Sequence, residues 1–261
     1  MSLFKSVRVL LLLLVLLAVA SNHWLGAARL ASWEQPIWIT VYPLAADQNP
    51  ATQRYMNALR ATDFDEISRY LSAQARRYGR DLPQAARFQL APPSNQLPPA
   101  LPADGQTLAI AWWSLRMRWW AWRQRSSDGL PTPDIQVFMQ YRTAKGSTQL
   151  DRSVGLQKGR YTLVQAYASR GQAPRNRLVM THELLHVLGA TDKYVPGSGL
   201  PLLPQGLARP EATPLFPQRE AELMAGAIAL SPTTARRPAS LAQTLIGAQT
   251  AREIGWLAPP R

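Results

Sequence analysis

The sequence predicts an α+β fold: a mixed, mostly buried sheet packed against one long helix, then loops and a C-terminal helix. Three observations carry this. Short runs rich in β-branched and aromatic residues are bounded by proline and glycine. Helical stripes of apolar residues fall between and after those runs. The order is strand, helices, strands, helix, loops, helix, with no internal repeat. The chain has 261 residues, 46% apolar and 17% charged, which suits a sizeable core and excludes a disordered class. The expectation is a single domain over 33–261, with the sheet and principal helix in 33–188 and the loops and last helix in 189–261.

The elements follow in order. Lys5 and Arg8 precede an unbroken apolar run from Val9 to Ala20, twelve residues long. That length suits the core of a signal peptide and is short for a membrane span of about 20 residues. Ala18-Val19-Ala20 resembles a cleavage site, yet Trp24, Leu25, Ala27 and Ala28 continue the apolar character. Residues 1–28 therefore read as a signal peptide or an N-terminal membrane anchor. Either one exports the remainder to the periplasmic side of a bacterial inner membrane.

Ile37 to Tyr42 reads as a first strand. Thr52 to Leu59 and Asp63 to Tyr78 read as helices, the second with Phe64, Ile67, Tyr70 and Leu71 on one stripe and Gly79 at its end. Ala91 to Pro102 holds five prolines and reads as an extended crossing segment. Leu108 to Trp122 alternates, with Trp113, Leu115, Met117 and Trp119 on one side and Arg116, Arg118, Trp120 and Trp122 on the other. It reads as a strand whose arginine stems pack across tryptophan rings. A basic, aromatic face of this kind also suits a membrane surface. Ser126 to Pro133 reads as a loop, Asp134 to Tyr141 and Tyr161 to Ala168 as strands, and Lys145-Gly146-Ser147 as a turn. Asn176 is a plausible start for the principal helix, and Ser240 to Trp256 reads as the last one, with Gly247 able to interrupt it.

Lys and Arg number 29 against 16 Asp and Glu, a formal net charge of +13. Such a surface favours anionic partners in general, and no specific nucleic acid is expected. The absence of cysteine excludes disulfides and thiolate metal sites.

The chemistry is concentrated in His182-Glu183-Leu184-Leu185-His186. On a helix, residues four apart share a face, so both imidazoles can aim at one metal ion. Glu183, one position along, can act as a general base on a water held there. The bland alternative is two ordinary helix-face histidines. Against it stands the composition: the chain has three histidines, and two of them flank a glutamate at this spacing. His23 lies in the exported or anchoring segment. A catalytic zinc takes three protein ligands and keeps one open position, so the third ligand falls to a carboxylate. Asp192 is the first candidate, with Gly189 between it and His186 to let the chain turn back. Glu222 is the rival, and Glu220 stands behind it.

His182 to Asp192, HELLHVLGATD, resembles the metzincin metalloproteases in the form that carries Asp as the last residue of H-E-x-x-H-x-x-G-x-x-H. The resemblance implies His182, His186 and Asp192 as zinc ligands and Glu183 as general base. It also implies a methionine turn beneath the metal, for which Glu220 to Gly226 with Met224 is the match. No tyrosine follows Met224, so the switch tyrosine of some metzincins has no counterpart there; Tyr194, and Lys193 beside it, are candidates to stabilise the transition state. In the gluzincin arrangement a downstream glutamate is the third ligand, which is the case for Glu222. HELLHVLGATDKY with PQREAELMAG is also similar to an uncharacterised family of exported bacterial proteins. The expected activity is that of an exported zinc metalloendopeptidase acting on a peptide or protein, with inner-membrane association through the N-terminal segment. The alternative is a non-catalytic zinc-binding or membrane-surface protein. The proline-rich stretch from Asp192 to Gln218 is expected either to line the cleft or to be a rigid excursion joining Asp192 to the methionine turn.

Overall fold

The structure is a computed structural model and describes residues 3–100, 102, 106–127, 129–143, 153–156 and 159–258. Its elements are α1 (Leu3–Ser32), β1 (Ile37–Ala45), α2 (Pro50–Asn57), α3 (Asp65–Arg76), β2 (Ala86–Leu90), α4 (Thr107–Ser127), β3 (Ile135–Arg142), β4 (Val154–Leu156), β5 (Tyr161–Tyr167) and α5 (Ala173–Val187). The C-terminal part adds four two-residue strands, β6 (Ala221–Glu222), β7 (Ile228–Ala229), β8 (Ala235–Arg236) and β9 (Thr244–Leu245), and the short helix α6 (Ala248–Glu253).

The fold is α+β with a mixed five-stranded sheet in the order β2-β1-β3-β5-β4. Strands β2, β1, β3 and β5 run parallel, and β4 pairs antiparallel with β5. Parallel strands are covered on both faces, which is why β1 and β5 read as nearly continuous apolar runs. On one face Ile39, Val41, Val137, Met139 and Val164 meet Ile67 and Leu71 of α3 and Leu184 and Leu185 of α5. On the other, Tyr42, Leu44, Phe138 and Tyr161 meet Trp113, Met117 and Trp120 of α4. The helix α3 also fixes the start of β2: Ser72 Oγ accepts from Ala85 N and Ser68 Oγ from Ala86 N. The edge strand β2 alternates over only five residues, too short a run to mark itself in the sequence.

Leu108 to Trp122 is a correction. It forms the helix α4, not a strand, and Ser126 belongs to that helix rather than to the loop. The inward residues Trp113, Met117, Trp120 and Ala121 recur at helical spacing. The opposite face is apolar too, and arginines lie between. Two opposed stripes on one helix produce the alternation that a strand would give.

The last helix is a second correction. Ser240 to Trp256 breaks into a 3₁₀ turn at Leu241–Gln243, the strand β9 and the six-residue α6. Thr244 and Leu245 are drawn out into extended backbone to pair with Ala221 and Glu222. Gly247 ends that pairing, and a side chain there would press on Glu222 Cγ at 3.0 Å. The Lys145 turn lies outside the described residues.

The helix α1 runs without a break through Ala18 to Ser21. Its end is rooted in the domain. The Arg29 guanidinium forks onto Asp134 at 2.8 and 2.9 Å, and Asp134 also accepts from Trp38 N. Leu30 and Trp33 are buried; the Trp33 ring packs on Trp256 and donates to Ile254 O at 2.7 Å. Further out, Leu10 to Leu14 are more than half exposed. Among the described residues no helix is long and apolar enough to cross a membrane.

Candidate metal centre

Helix α5 supplies the first donors. It starts at Ala173, three residues before Asn176, with Pro174 in its first turn where a missing N–H costs nothing. Asn176 instead joins two elements. Its side chain accepts from Tyr167 N and donates to Tyr167 O, sewing α5 to the end of β5. Leu178, Leu184 and Leu185 bury the inner face of α5 and so aim His182 and His186 together.

Gly189 adopts φ +107, a conformation that favours glycine, and the chain reverses there. Two consequences follow. Ala190 O comes to 2.8 Å from His186 Nδ1, and Asp192 returns to the histidines. The His182 Nε2 and His186 Nε2 atoms are 3.1 Å apart, and Asp192 Oδ1 lies 3.2 and 3.1 Å from them. His182, His186 and Asp192 thus form a half-buried group that can hold a metal ion.

The hydrogen bonds around the triangle say what it suits. His182 Nδ1 faces Leu223 O at 3.0 Å, and His186 Nδ1 faces Ala190 O. A carbonyl only accepts, so each Nδ1 carries the proton and each Nε2 presents a lone pair. Asp192 Oδ1 is buried and has no hydrogen-bond partner. Three lone-pair atoms converge within 3.2 Å, an arrangement that repels itself unless positive charge sits among them. Tetrahedral His and carboxylate sites with bonds of about 2.0–2.2 Å have donor edges of about 3.3–3.6 Å. The observed edges differ from that by a few tenths of an ångström, so the residues fit a metal. A proton on Nε2 is the other way to supply that positive charge, and the coupling of the three groups reflects it. Burial pushes the Asp192 carboxyl up, but the two imidazoles beside it hold it far below the usual range. Burial lowers His186, and Asp192 and Ala190 O outweigh it and raise it.

Two further segments hold the group in place. The turn after β6 contains Met224, fully buried, with Gly226 at φ +66 closing it. Its Leu223 carbonyl orients His182, and its Met224 carbonyl accepts from Lys193 N at 3.0 Å, next to Asp192. The structure therefore brings the methionine turn against both ends of the triangle. Glu222 is engaged elsewhere. One carboxylate oxygen accepts from Thr250 Oγ1 and Gly247 N, and the other from Ala225 N. Burial nevertheless raises its pKa above the usual glutamate value. Glu222 stands apart from the triangle and ties the methionine turn to the start of α6. Glu220 pairs with Arg209 at the surface.

Lys193 is a correction. Its ammonium is buried and meets Thr191 O, Thr191 Oγ1 and both oxygens of Glu253. The ammonium is committed to that cluster and pins the segment carrying Asp192. Glu253 also accepts from Thr191 N and Thr191 Oγ1, both at 2.9 Å, so the residues on either side of Asp192 are clamped to α6. No local pattern marks Glu253, sixty residues from Lys193. Tyr194 is half-buried and bridges through its backbone to Pro201. Glu183 is buried, and its charge acts on His186. The stretch from Asp192 to Gln218 folds back on itself through Val195 N to Leu200 O and Leu202 N to Lys193 O. It bridges at Leu207 to Ala221, next to the methionine turn.

The chain matches no protein family model, and no curated protein is similar to it in sequence.

Proposed function

We propose that the chain is a zinc-dependent metallopeptidase of metzincin type, exported across a bacterial inner membrane and retained at its outer face. The observation that carries the reading is the triangle of His182 Nε2, His186 Nε2 and Asp192 Oδ1 with Glu183 on the same helix. Three protein donors leave one position of a tetrahedral ion for water or substrate, which is the arrangement of catalytic rather than structural zinc. When bound, zinc supplies Lewis acidity, polarising a carbonyl and acidifying water. Glu183 takes a proton from the attacking water as the new C–O bond forms. It then delivers that proton to the amine nitrogen as the peptide C–N bond breaks. Leu223 O and Ala190 O hold the two imidazoles in the tautomer that leaves Nε2 free. Tyr194 is the proposed donor to the developing oxyanion. An aspartate ligand adds a negative charge that a third histidine would not, so turnover is expected to be modest. The basic residues Lys5 and Arg8 ahead of Val9 to Ala20 support export, and the substrate class is a peptide or protein.

The test is Glu183→Gln in the full chain. Zinc stays bound in the original amount, and hydrolysis of a denatured protein substrate falls at least ~100-fold, the loss expected for a general base. A variant that keeps both zinc and hydrolysis removes Glu183 from the role of general base, whereas an unaltered chain that binds zinc and hydrolyses nothing overturns the peptidase reading in favour of a non-catalytic zinc-binding protein.

A further inference from the structure

The outward face of α4 has no role in the metal centre, and its composition is unusual. Leu108, Trp112, Leu115, Trp119 and Trp122 are 84, 64, 60, 58 and 52% exposed. At about 100° per residue these five fall within an arc of about 80° on the helix. Arg116 and Arg123 border that arc on one side, and Arg118 and Arg125 on the other. The helix carries no carboxylate. Arg123 lies 5.6 Å over the Trp119 ring, so cation and ring already share one surface.

A monomer in water rarely leaves so many large apolar side chains in one stripe. Indole rings with flanking arginines suit the bilayer interface. Indole sits at the headgroup level, and guanidinium reaches lipid phosphate while its stem stays in the apolar layer. The position of α4 agrees. Seven residues after its end comes Asp134, the residue that Arg29 of α1 holds. The exposed leucines of α1 and the stripe of α4 thus belong to helices that both reach the end of the sheet where β3 begins, α1 through Asp134 and α4 through Ala121 O, which accepts from Gln136 Nε2. We infer that the outward face of α4 seats on an anionic lipid bilayer, with the tryptophans in the interface and the four arginines on lipid phosphates. The metal-bearing helix α5 packs on the opposite face of the sheet, so this contact leaves the metal centre turned away from the lipid. The inference stands whether or not the chain cleaves peptides.

The chain lacks cysteine, so a single label can be placed at will. Full-length Leu115→Cys is coupled to a fluorophore whose emission reports water, and Glu211→Cys, at an exposed site in the C-terminal part, is the control. Each is mixed with vesicles of mixed phosphatidylglycerol and phosphatidylcholine, or of phosphatidylcholine alone. The expected result is a blue shift and severalfold protection from an aqueous quencher at position 115, on the anionic vesicles only. Position 211 stays in water. Replacing Arg116 and Arg123 by glutamine weakens the contact by roughly fivefold per arginine, and molar salt acts the same way. A label at Trp122→Cys gives the same answer if the Leu115 variant does not fold. Three results overturn the inference. The label stays in water while the chain is held on anionic vesicles. It is buried equally on neutral vesicles. It is buried without any lipid, which places a second copy of the chain there.

Discussion

Replacing Glu253 by alanine removes the one carboxylate that fixes Thr191 and Lys193 on either side of Asp192. The Lys193 side chain is 2% exposed and that of Glu253 20%, so the pair is nearly out of solvent. Breaking a buried pair by deleting one partner costs about 3–5 kcal/mol, because the other charge is left uncompensated. Two features reduce that here. Lys193 keeps Thr191 O at 2.7 Å and Thr191 Oγ1 at 2.8 Å, and the Glu253 side admits water. Against them, Thr191 N loses its acceptor. The net expectation is a loss of about 2–4 kcal/mol. Urea unfolding in chelator measures it, since bound metal then contributes nothing to the difference. Glu253→Leu combined with Lys193→Met should cost less than either change alone, the signature of a coupled pair. Measured separately, metal affinity of Glu253→Ala should fall about 10- to 100-fold, as it does when partners of metal ligands are lost. A loss of stability under about 1 kcal/mol together with unchanged metal affinity would refute the clamp.

The same geometry makes three other outcomes testable. His182→Ala and Asp192→Ala should abolish stoichiometric metal in elemental analysis, whereas Glu222→Gln should retain it while losing stability through its Ala225 and Gly247 contacts; metal lost from Glu222→Gln alone would restore Glu222 as the third ligand. Stability in chelator should fall in acid. For Asp134, burial acts upward but Arg29 and Trp38 N hold the folded carboxyl below its ordinary value; for Glu253, burial is likewise outweighed by Lys193 and Thr191. Groups depressed on folding contribute fully above their ordinary values of about 4 and lose that contribution as pH drops through the lower folded values. The variant Asp134→Asn, followed by pH-dependent unfolding, should flatten part of that acid limb. Trp33→Ala should cost about 3–5 kcal/mol and expose the chain between α1 and β1 to protease, because it empties the contact with Trp256.

The parts of the site that were legible in the sequence are those whose partners are close along the chain. The two histidines are spaced by one helical turn, and Gly189 and Asp192 complete the group within six further residues. Met224 was readable as a turn, and its closeness to Asp192 through Lys193 N follows from the fold. What escaped is non-local. The carbonyl of Leu223 that orients His182 lies 41 residues away, and Glu253 lies 60 from Lys193. Neither leaves a mark in composition or period. Lys193 shows how position misleads. Beside a ligand it looked like a catalytic cation, but its side chain points into the clamp. The helix α4 was misread for a different reason. Periodicity separates helix from strand only when one face is apolar, and α4 is apolar on two.

The clamp on Asp192 also sets an order of events during synthesis. A chain that emerges N-terminus first presents the sheet and both histidines well before Glu253. Until that residue arrives, the third ligand hangs on a segment with nothing to hold it. A nascent chain caught at that stage carries the two histidines on α5 but not the geometry to keep a metal. The group is therefore completed late, when α6 has docked.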